Sequence, residues 1–152
     1  MTAQIGAPAP DFTLRDTARS EVSLTDFRGK KTLVVFIPFP FTRTCEAELC
    51  TLRDNLASLA ELDAAVVVVT THAPPTNRVW AEQQGFEFPI LADYWPHGAV
   101  AQAYGCFNEM VGAAERATFV LDEDGVVRDI ITSDSPGSPR EYVEYTQALA
   151  AI

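Results

Sequence analysis

The chain has 152 residues, and we expect a single domain over residues 1–152 with a core that needs no disulfide staples. Hydrophobic residues make up 47%, yet no apolar run approaches the ~20 residues of a membrane-spanning helix. The net charge of −10 disfavours nucleic acid and anionic membrane surfaces as partners. Three cysteines without a disulfide-framework spacing, and an N-terminus without a signal-peptide pattern, favour a cytoplasmic location.

The first part of the chain predicts strands followed by one strongly patterned helix. Short strands at 12–14 and 21–24 flank a turn and form an N-terminal β-hairpin. The β-branched run at 32–37 is typical of a strand that is buried on both faces. The helix that follows has one narrow stripe of leucines, formed by Leu49, Leu52, Leu56 and Leu59.

The rest of the chain alternates further strands and helices. The apolar run at 65–71 predicts a buried strand, and the prolines at 74–75 begin a helix that Gly85 ends. The remaining expected elements are a strand at 88–91, a helix at 98–104, a hairpin of strands at 117–121 and 126–132, a linker at 133–138 and a helix at 139–150. This order implies an α/β fold around a mixed sheet.

The stretch at 38–50, PFPFTRTCEAELC, carries the most chemistry. Thr42 and Thr44 are favourable N-cap residues, so we expect Cys45 in the first helical turn, where free N–H groups and the helix dipole favour an anion. A cysteine in that position forms a nucleophilic thiolate readily. Together with Pro38 it makes an oxyanion-type site suited to attack on an O–O bond. The alternative is that Cys45 is a small core residue on an apolar helix face.

The spacing Pro38-x-x-x-Thr42-x-x-Cys45 resembles the signature P-x-x-x-[TS]-x-x-C of the peroxiredoxins, a family of thiol peroxidases. Residues 94–109 look most like the AhpE (alkyl hydroperoxide reductase E) type of that family. The resemblance implies a thioredoxin-like fold, with a central mixed β-sheet flanked by helices. Other matching stretches follow in family order, namely GAPAPDFTL at 6–14, FPILAD at 88–93 and ERATFVLDEDG at 115–125.

The same resemblance implies a peroxidase that reduces hydrogen peroxide and alkyl hydroperoxides through a sulfenic acid at Cys45. Arg116 would hold the thiolate and the peroxide oxygens through its fixed fork of donors, and Glu48 would orient that arginine. Thr42 and the N–H groups near Thr44 would position the oxygens. The implied site is therefore Cys45, Thr42, Arg116 and Pro38, supported by Glu48 and Thr44. Without the resemblance, Arg116 could be a solvated arginine and Glu48 a helix-surface acid.

Cys50 departs from the AhpE pattern and matches the resolving cysteine of many PrxQ-type peroxiredoxins. In an intact helix, Cα atoms five residues apart lie about 8.6 Å apart. A disulfide needs roughly 4.4–6.8 Å, so Cys45 and Cys50 can pair only if the first helical turns unwind. Resolution by Cys50 and reduction by an external thiol both stay open. Cys106 is interpreted as an apolar filler in a loop, with a redox role also open.

We expect no metal and no organic cofactor, because His72 and His97 lack a ligand spacing and are interpreted as structural or surface residues. Trp80 and Trp95 are expected to pack near the site wall. By resemblance, the reductant would be a mycothiol/mycoredoxin-type or thioredoxin-type system, and the chain would form a homodimer. A thioredoxin-fold redox sensor or binding protein is the alternative function. A dithiol-disulfide oxidoreductase would need a C-x-x-C pair, which the chain lacks.

Overall fold

The computed structural model describes residues 2–135 and 137–152. In that part of the chain the strands are β1 (Thr13–Arg15), β2 (Glu21–Ser23), β3 (Lys31–Phe36), β4 (Ala64–Thr70), β5 (Ile90–Ala92), β6 (Phe107–Asn108), β7 (Ala113–Ala114), β8 (Ala117–Leu121) and β9 (Val127–Thr132). The helices are α1 (Arg43–Asp54), α2 (Leu56–Glu61), α3 (Pro74–Gln84), α4 (Ala99–Tyr104) and α5 (Tyr142–Ala150). A 3-10 turn spans Leu24–Phe27.

Within the described residues, seven strands form one mixed sheet in the order β2-β1-β5-β4-β3-β8-β9. The interior strand β3 pairs in parallel with β4 and antiparallel with β8. The N-terminal hairpin of β1 and β2 joins this sheet where Arg15 pairs with Ala92 of β5. The mixed sheet and the N-terminal hairpin therefore agree with the sequence prediction.

Helices cover both faces of the sheet, which explains the continuous apolar runs at 33–36 of β3 and 64–69 of β4. Successive side chains of β3 point to opposite faces. Leu33 and Val35 join the core formed with α1, α2, α3 and α5, whereas Val34 and Phe36 join the core that includes Tyr104 of α4. Among the described residues, no helix is long and apolar enough to cross a membrane.

The leucine stripe lies on two helices and not on one. The break falls at Asn55, which leaves the helical conformation with φ −112° and ψ 12°. Its side-chain amide donates to the Thr51 carbonyl at 2.8 Å, a local bond of the kind by which asparagine favours helix ends over interiors. Leu59 of α2 is still fully buried in the core. The predicted stripe therefore faces inward, although the predicted single helix was wrong.

Other elements also differ from the prediction. The strand expected at 88–91 spans Ile90–Ala92, and Pro89 before it accepts a hydrogen bond from Val68 without being able to donate one. The last helix begins at Tyr142 and not at residue 139, because Arg140 lies in an irregular segment directed towards α1. The small hairpin of β6 and β7 was not predicted. The predicted linker at 133–138 includes Pro136, which lies outside the described residues.

Candidate active site

Cys45 is the third residue of α1 and has no solvent-exposed surface. The helix begins after Thr42, whose extended backbone (φ −95°, ψ 152°) makes it the N-cap residue. Thr42 Oγ1 donates to the Phe39 carbonyl at 2.7 Å, and Thr44 Oγ1 donates to the Gly137 carbonyl at 3.2 Å. The predicted first-turn position of Cys45 is therefore confirmed, whereas neither threonine hydroxyl caps the helix.

One turn after Cys45, Glu48 is buried between two arginines. Arg116 donates from Nη1 to Glu48 Oε1 at 2.7 Å. Arg140 donates from its backbone N and its Nε to Oε2, at 2.7 and 2.8 Å, and from Nη2 to Oε1 at 2.9 Å. Relative exposure is 6% for Glu48, 8% for Arg116 and 5% for Arg140. Neither Arg116 nor Glu48 is therefore the solvated surface residue that the alternative interpretation proposed.

Arg140 was missed in the sequence, although it donates five hydrogen bonds within the described residues. Its Nη1 also donates to the Phe36 carbonyl at 2.8 Å and to Thr118 Oγ1 at 3.1 Å. Arg140 thereby ties α1 to the ends of β3 and β8 that adjoin the site. The only sequence feature that could have drawn attention to Arg140 was the preceding Pro139, because a proline there leaves the start of the last helix uncertain. Pro139 indicates no particular role for Arg140.

The two guanidinium groups keep Glu48 ionised. Burial raises the pKa of the Glu48 carboxyl, but the hydrogen bonds and charge of Arg140 and the charge of Arg116 outweigh it and lower the pKa. For the Arg140 guanidinium, burial lowers the pKa. The hydrogen bond to Glu48, together with nearby charges that include Cys45, outweighs burial and raises the Arg140 pKa overall. Two cations and one carboxylate leave one net positive charge, which a Cys45 thiolate would balance.

A cleft of about 490 Å³ opens beside this cluster. The structure brings three predicted site residues together in its wall, namely Pro38, Thr42 and Arg116. Phe39 and Val111 add apolar surface to the same wall. Because Cys45 is fully buried, contact between a substrate in the cleft and the Cys45 sulfur requires displacement of neighbouring side chains.

Cys50 and Cys106 occupy different environments, and both are free thiols. Cys50 lies on α1, partly buried, with its Sγ 3.8 Å from Gln84 Oε1 of α3. Cys106 is 4% exposed, packs in the core on the α4 side of the sheet, and has its pKa raised by burial and by the charges of Glu115 and Asp93. The buried position of Cys106 agrees with its interpretation as an apolar filler.

His72 follows β4 and borders the loop that precedes α1. Its ring lies 6.0 Å from the ring of Phe39, and its Nε2 is buried without a hydrogen-bond partner among the described residues. Burial and the charge of His97 lower the pKa of His72, partly offset by a hydrogen bond with the Pro38 backbone. His97 is exposed, with its Nε2 2.7 Å from the Gly112 carbonyl oxygen. These positions agree with the interpretation of both histidines as structural or surface residues.

The two tryptophans differ. Trp80 is fully buried and donates from Nε1 to Glu46 Oε1 of α1 at 2.9 Å, so its expected place beside the site is confirmed. Trp95 is 83% exposed, so its expected packing role was wrong. An apolar ring in a loop carries no sequence periodicity that would tell whether it is buried.

The chain is similar to known proteins over nearly its full length. The sequence profile of the AhpC/TSA family matches residues 5–130. Alkyl hydroperoxide reductase E of Mycobacterium tuberculosis is 48% identical over 149 residues, which cover 97% of each chain. Peroxiredoxin-2 of Rattus norvegicus is 33% identical over 144 residues, covering 88% of this chain and 72% of that protein.

The chain is also similar to solved structures. The structure of AhpC from Enterococcus faecalis matches with a TM-score of 0.89 and 29% identity, covering 99% of this chain and 92% of that chain. The structure of peroxidoxin BcpB from Mycobacterium tuberculosis matches with a TM-score of 0.84 and 28% identity, covering 97% and 95%. Both matches therefore include the sheet and the helices that surround Cys45.

Proposed function

The chain belongs to the AhpC/TSA family of peroxiredoxins, and we propose that it reduces hydrogen peroxide and alkyl hydroperoxides at Cys45. The thioredoxin-like fold and the peroxiredoxin family that the sequence predicted are both confirmed. The 48% identity to alkyl hydroperoxide reductase E also confirms the likeness to the AhpE type. Its function is that of a thiol-dependent peroxidase.

The reaction begins with the Cys45 thiolate in the first turn of α1. The sulfur attacks the terminal oxygen of the hydroperoxide, the O–O bond breaks, and its electron pair leaves on the alkoxide or hydroxide. That anion takes a proton and departs as alcohol or water, and Cys45 is left as a sulfenic acid. Thr42, Arg116 and the N–H groups near Thr44 and Cys45 hold both oxygens in line with the sulfur. Pro38 shields the sulfur from water.

The observation that carries this proposal is the set of four hydrogen bonds on Glu48, one from Arg116 and three from Arg140. A guanidinium whose position is fixed before the substrate arrives can stabilise charge that develops on the leaving oxygen without reorganising. Glu48 orients Arg116 in this way beside the cleft. Its charge is itself balanced by Arg140, so Glu48 does not cancel the positive field around the sulfur.

The sulfenic acid returns to the thiol by reaction with a thiol reductant. We take the reductant to be of the mycoredoxin/mycothiol or thioredoxin type, the protein to be a homodimer, and its location to be the cytoplasm. The likeness to the AhpE type supports the type of reductant and the homodimer. Because of the net charge of −10, we expect no nucleic-acid or membrane partner.

Hydroperoxide consumption by cysteine variants tests the proposal. Each reduced protein receives one equivalent of hydroperoxide, and the peroxide that remains is measured over time. We expect Cys45→Ser to consume no more than buffer, and Cys50→Ser and Cys106→Ser to match the wild type. A redox sensor without turnover is distinguished by adding both the hydroperoxide and a thiol reductant in excess, because consumption beyond the first equivalent is sustained only in a peroxidase.

A further inference from the structure

Gln84, the last residue of α3, contacts three successive turns of α1. Its Nε2 donates to Glu46 Oε1 at 3.3 Å, and the Cys50 thiol donates to its Oε1 at 3.8 Å. Arg53 donates from Nη1 to the Gln84 backbone carbonyl at 2.5 Å. Glu46 Oε1 also accepts the hydrogen bond from Trp80, a residue one turn earlier on α3. We call these contacts the Gln84 clasp.

The Gln84 clasp holds the segment of α1 that contains both cysteines. Glu46, Cys50 and Arg53 follow the i, i+4, i+7 spacing and so share one face of the helix. Glu48, which lies between Cys45 and Cys50, is held on another side by the two buried arginines. Residues 45–50 are therefore bound from two directions, by α3 and by the arginine cluster.

Forming a disulfide between Cys45 and Cys50 would require these contacts to break. Their Cα atoms stand about 8.6 Å apart in an intact helix, and a disulfide brings Cα atoms to roughly 4.4–6.8 Å. Closing that gap requires the backbone at 45–50 to leave the helical conformation. The Cys50 thiol would also have to leave Gln84, and Glu46 would have to leave both of its α3 partners.

We propose that Gln84 is a positioning residue that keeps α1 helical between Cys45 and Cys50, and thereby directs the Cys45 sulfenic acid to an external thiol. The inference rests on the proposed function of Cys45. In the favoured route an external thiol attacks the sulfenic sulfur, forming a mixed disulfide and releasing water. In the suppressed route the Cys50 thiol makes the same attack, forming an intramolecular disulfide and releasing water. In both routes the hydroperoxide has supplied the oxidising equivalent.

The test compares two methionine substitutions at neighbouring positions. Gln84→Met keeps most of the side-chain volume but removes the amide that binds Glu46 and Cys50. Gln83→Met is the matched control, because Gln83 is exposed and, among the described residues, its side chain makes no hydrogen bond to α1. Each reduced protein receives one equivalent of hydroperoxide and then dimedone, with no added thiol. Digestion and mass spectrometry measure dimedone-trapped Cys45 against the Cys45–Cys50 cross-link.

We expect wild type and Q83M to give trapped Cys45 with little cross-link, and Q84M to raise the cross-linked fraction about tenfold, as the loss of one or two hydrogen bonds implies. The cross-link should vanish when Cys50→Ser is added to Q84M. Glu46→Met removes the acceptor of the Gln84 and Trp80 bonds, and we expect it to act in the same direction should Q84M fold poorly.

Two results would overturn the role of Gln84. One is rapid and complete cross-linking in the wild type, which would mean that α1 unwinds freely. The other is a cross-linked fraction in Q84M and E46M no larger than in Q83M. Failure of the proposed function has a different signature, since Cys45 would then be neither trapped nor cross-linked in any of these proteins.

Discussion

Arg140 binds Glu48 through three different nitrogens, all between 2.7 and 2.9 Å from a carboxylate oxygen. One of the three is the backbone N, so the bond also fixes the path of the chain before α5. The Glu48 carboxylate, which orients Arg116, is thus itself held in place by Arg140, a residue far along the chain. This relationship makes Arg140 part of the support of the active site, although it does not line the cleft.

Replacing Arg140 should cost stability. Arg140→Met leaves the Glu48 charge buried with one arginine partner fewer, and losing one partner of a buried ion pair costs about 3–5 kcal/mol. Urea denaturation gives the free energy of unfolding. Arg128→Met, at an exposed arginine paired with Asp122, is the control and should cost less than about 1 kcal/mol. Equal losses in the two variants would contradict the structural role of Arg140.

The contribution of Glu48 to stability should depend on pH. The arginines hold its folded pKa below the ordinary value of 4.5, so the unfolded chain takes up the proton first as pH falls. The advantage of wild type over Glu48→Gln in free energy of unfolding is therefore full above about pH 4.5 and declines as pH falls through the folded pKa. Urea denaturation of both proteins over this range checks it. An advantage that stays constant down to the acid limit would contradict the expected ionisation of Glu48.

Replacing Arg116 should slow the reaction with hydroperoxide. Removing one donor to a developing oxyanion costs about 10²–10³-fold in rate, and we expect that loss in Arg116→Met. Arg116→Lys keeps the charge but loses the fork of donors, so its rate should fall between those of R116M and wild type.

Stopped-flow fluorescence of Trp80 can follow the reaction of Arg116 variants. Trp80 bonds to Glu46 in α1, and Trp95→Phe removes the emission of the exposed tryptophan. All variants are made in the W95F background, with Arg128→Met as the control for loss of an arginine. An unchanged hydroperoxide rate in R116M would remove Arg116 from the mechanism.

His72 should make the protein less stable in mild acid. Burial lowers its folded pKa below the ordinary value of 6.5, so the unfolded chain binds a proton that the folded chain resists. Stability then falls as pH drops below about 6.5, by at most about 1.4 kcal/mol per pH unit for this one group. His72→Phe should flatten that slope in urea denaturation. His97→Gln should weaken it only in part, because burial is the larger cause of the lowered His72 pKa and the His97 charge the smaller one. If H72F has the same slope as the wild type, a group other than His72 causes the pH dependence.

The position of Cys45 could be predicted because local patterns determine it. An apolar run predicts β3, and the leucine spacing predicts that α1 packs its Cys45 face inward. The break at Asn55 was missed because the leucine periodicity continues across it, although a local side-chain bond there ends α1. Periodicity reports which face is buried more reliably than it reports where a helix stops.

Arg140 could not be predicted because its role depends on tertiary structure. It lies 92 residues from Glu48 in the chain, and only the folded sheet brings the two together. The Gln84 clasp was missed for the same reason, since Gln84 reads as an ordinary helix-end residue 34 positions after Cys50. Contacts between distant polar residues leave no periodic signal in one sequence.

The central claim is that hydroperoxides oxidise Cys45. The most direct test treats the reduced wild-type protein with one equivalent of hydroperoxide in the presence of dimedone, and then maps the adduct among the three cysteines by peptide mass spectrometry. Our account predicts the adduct at Cys45, with Cys50 and Cys106 recovered as free thiols. An adduct at Cys50 or Cys106, with Cys45 still reduced, would contradict it.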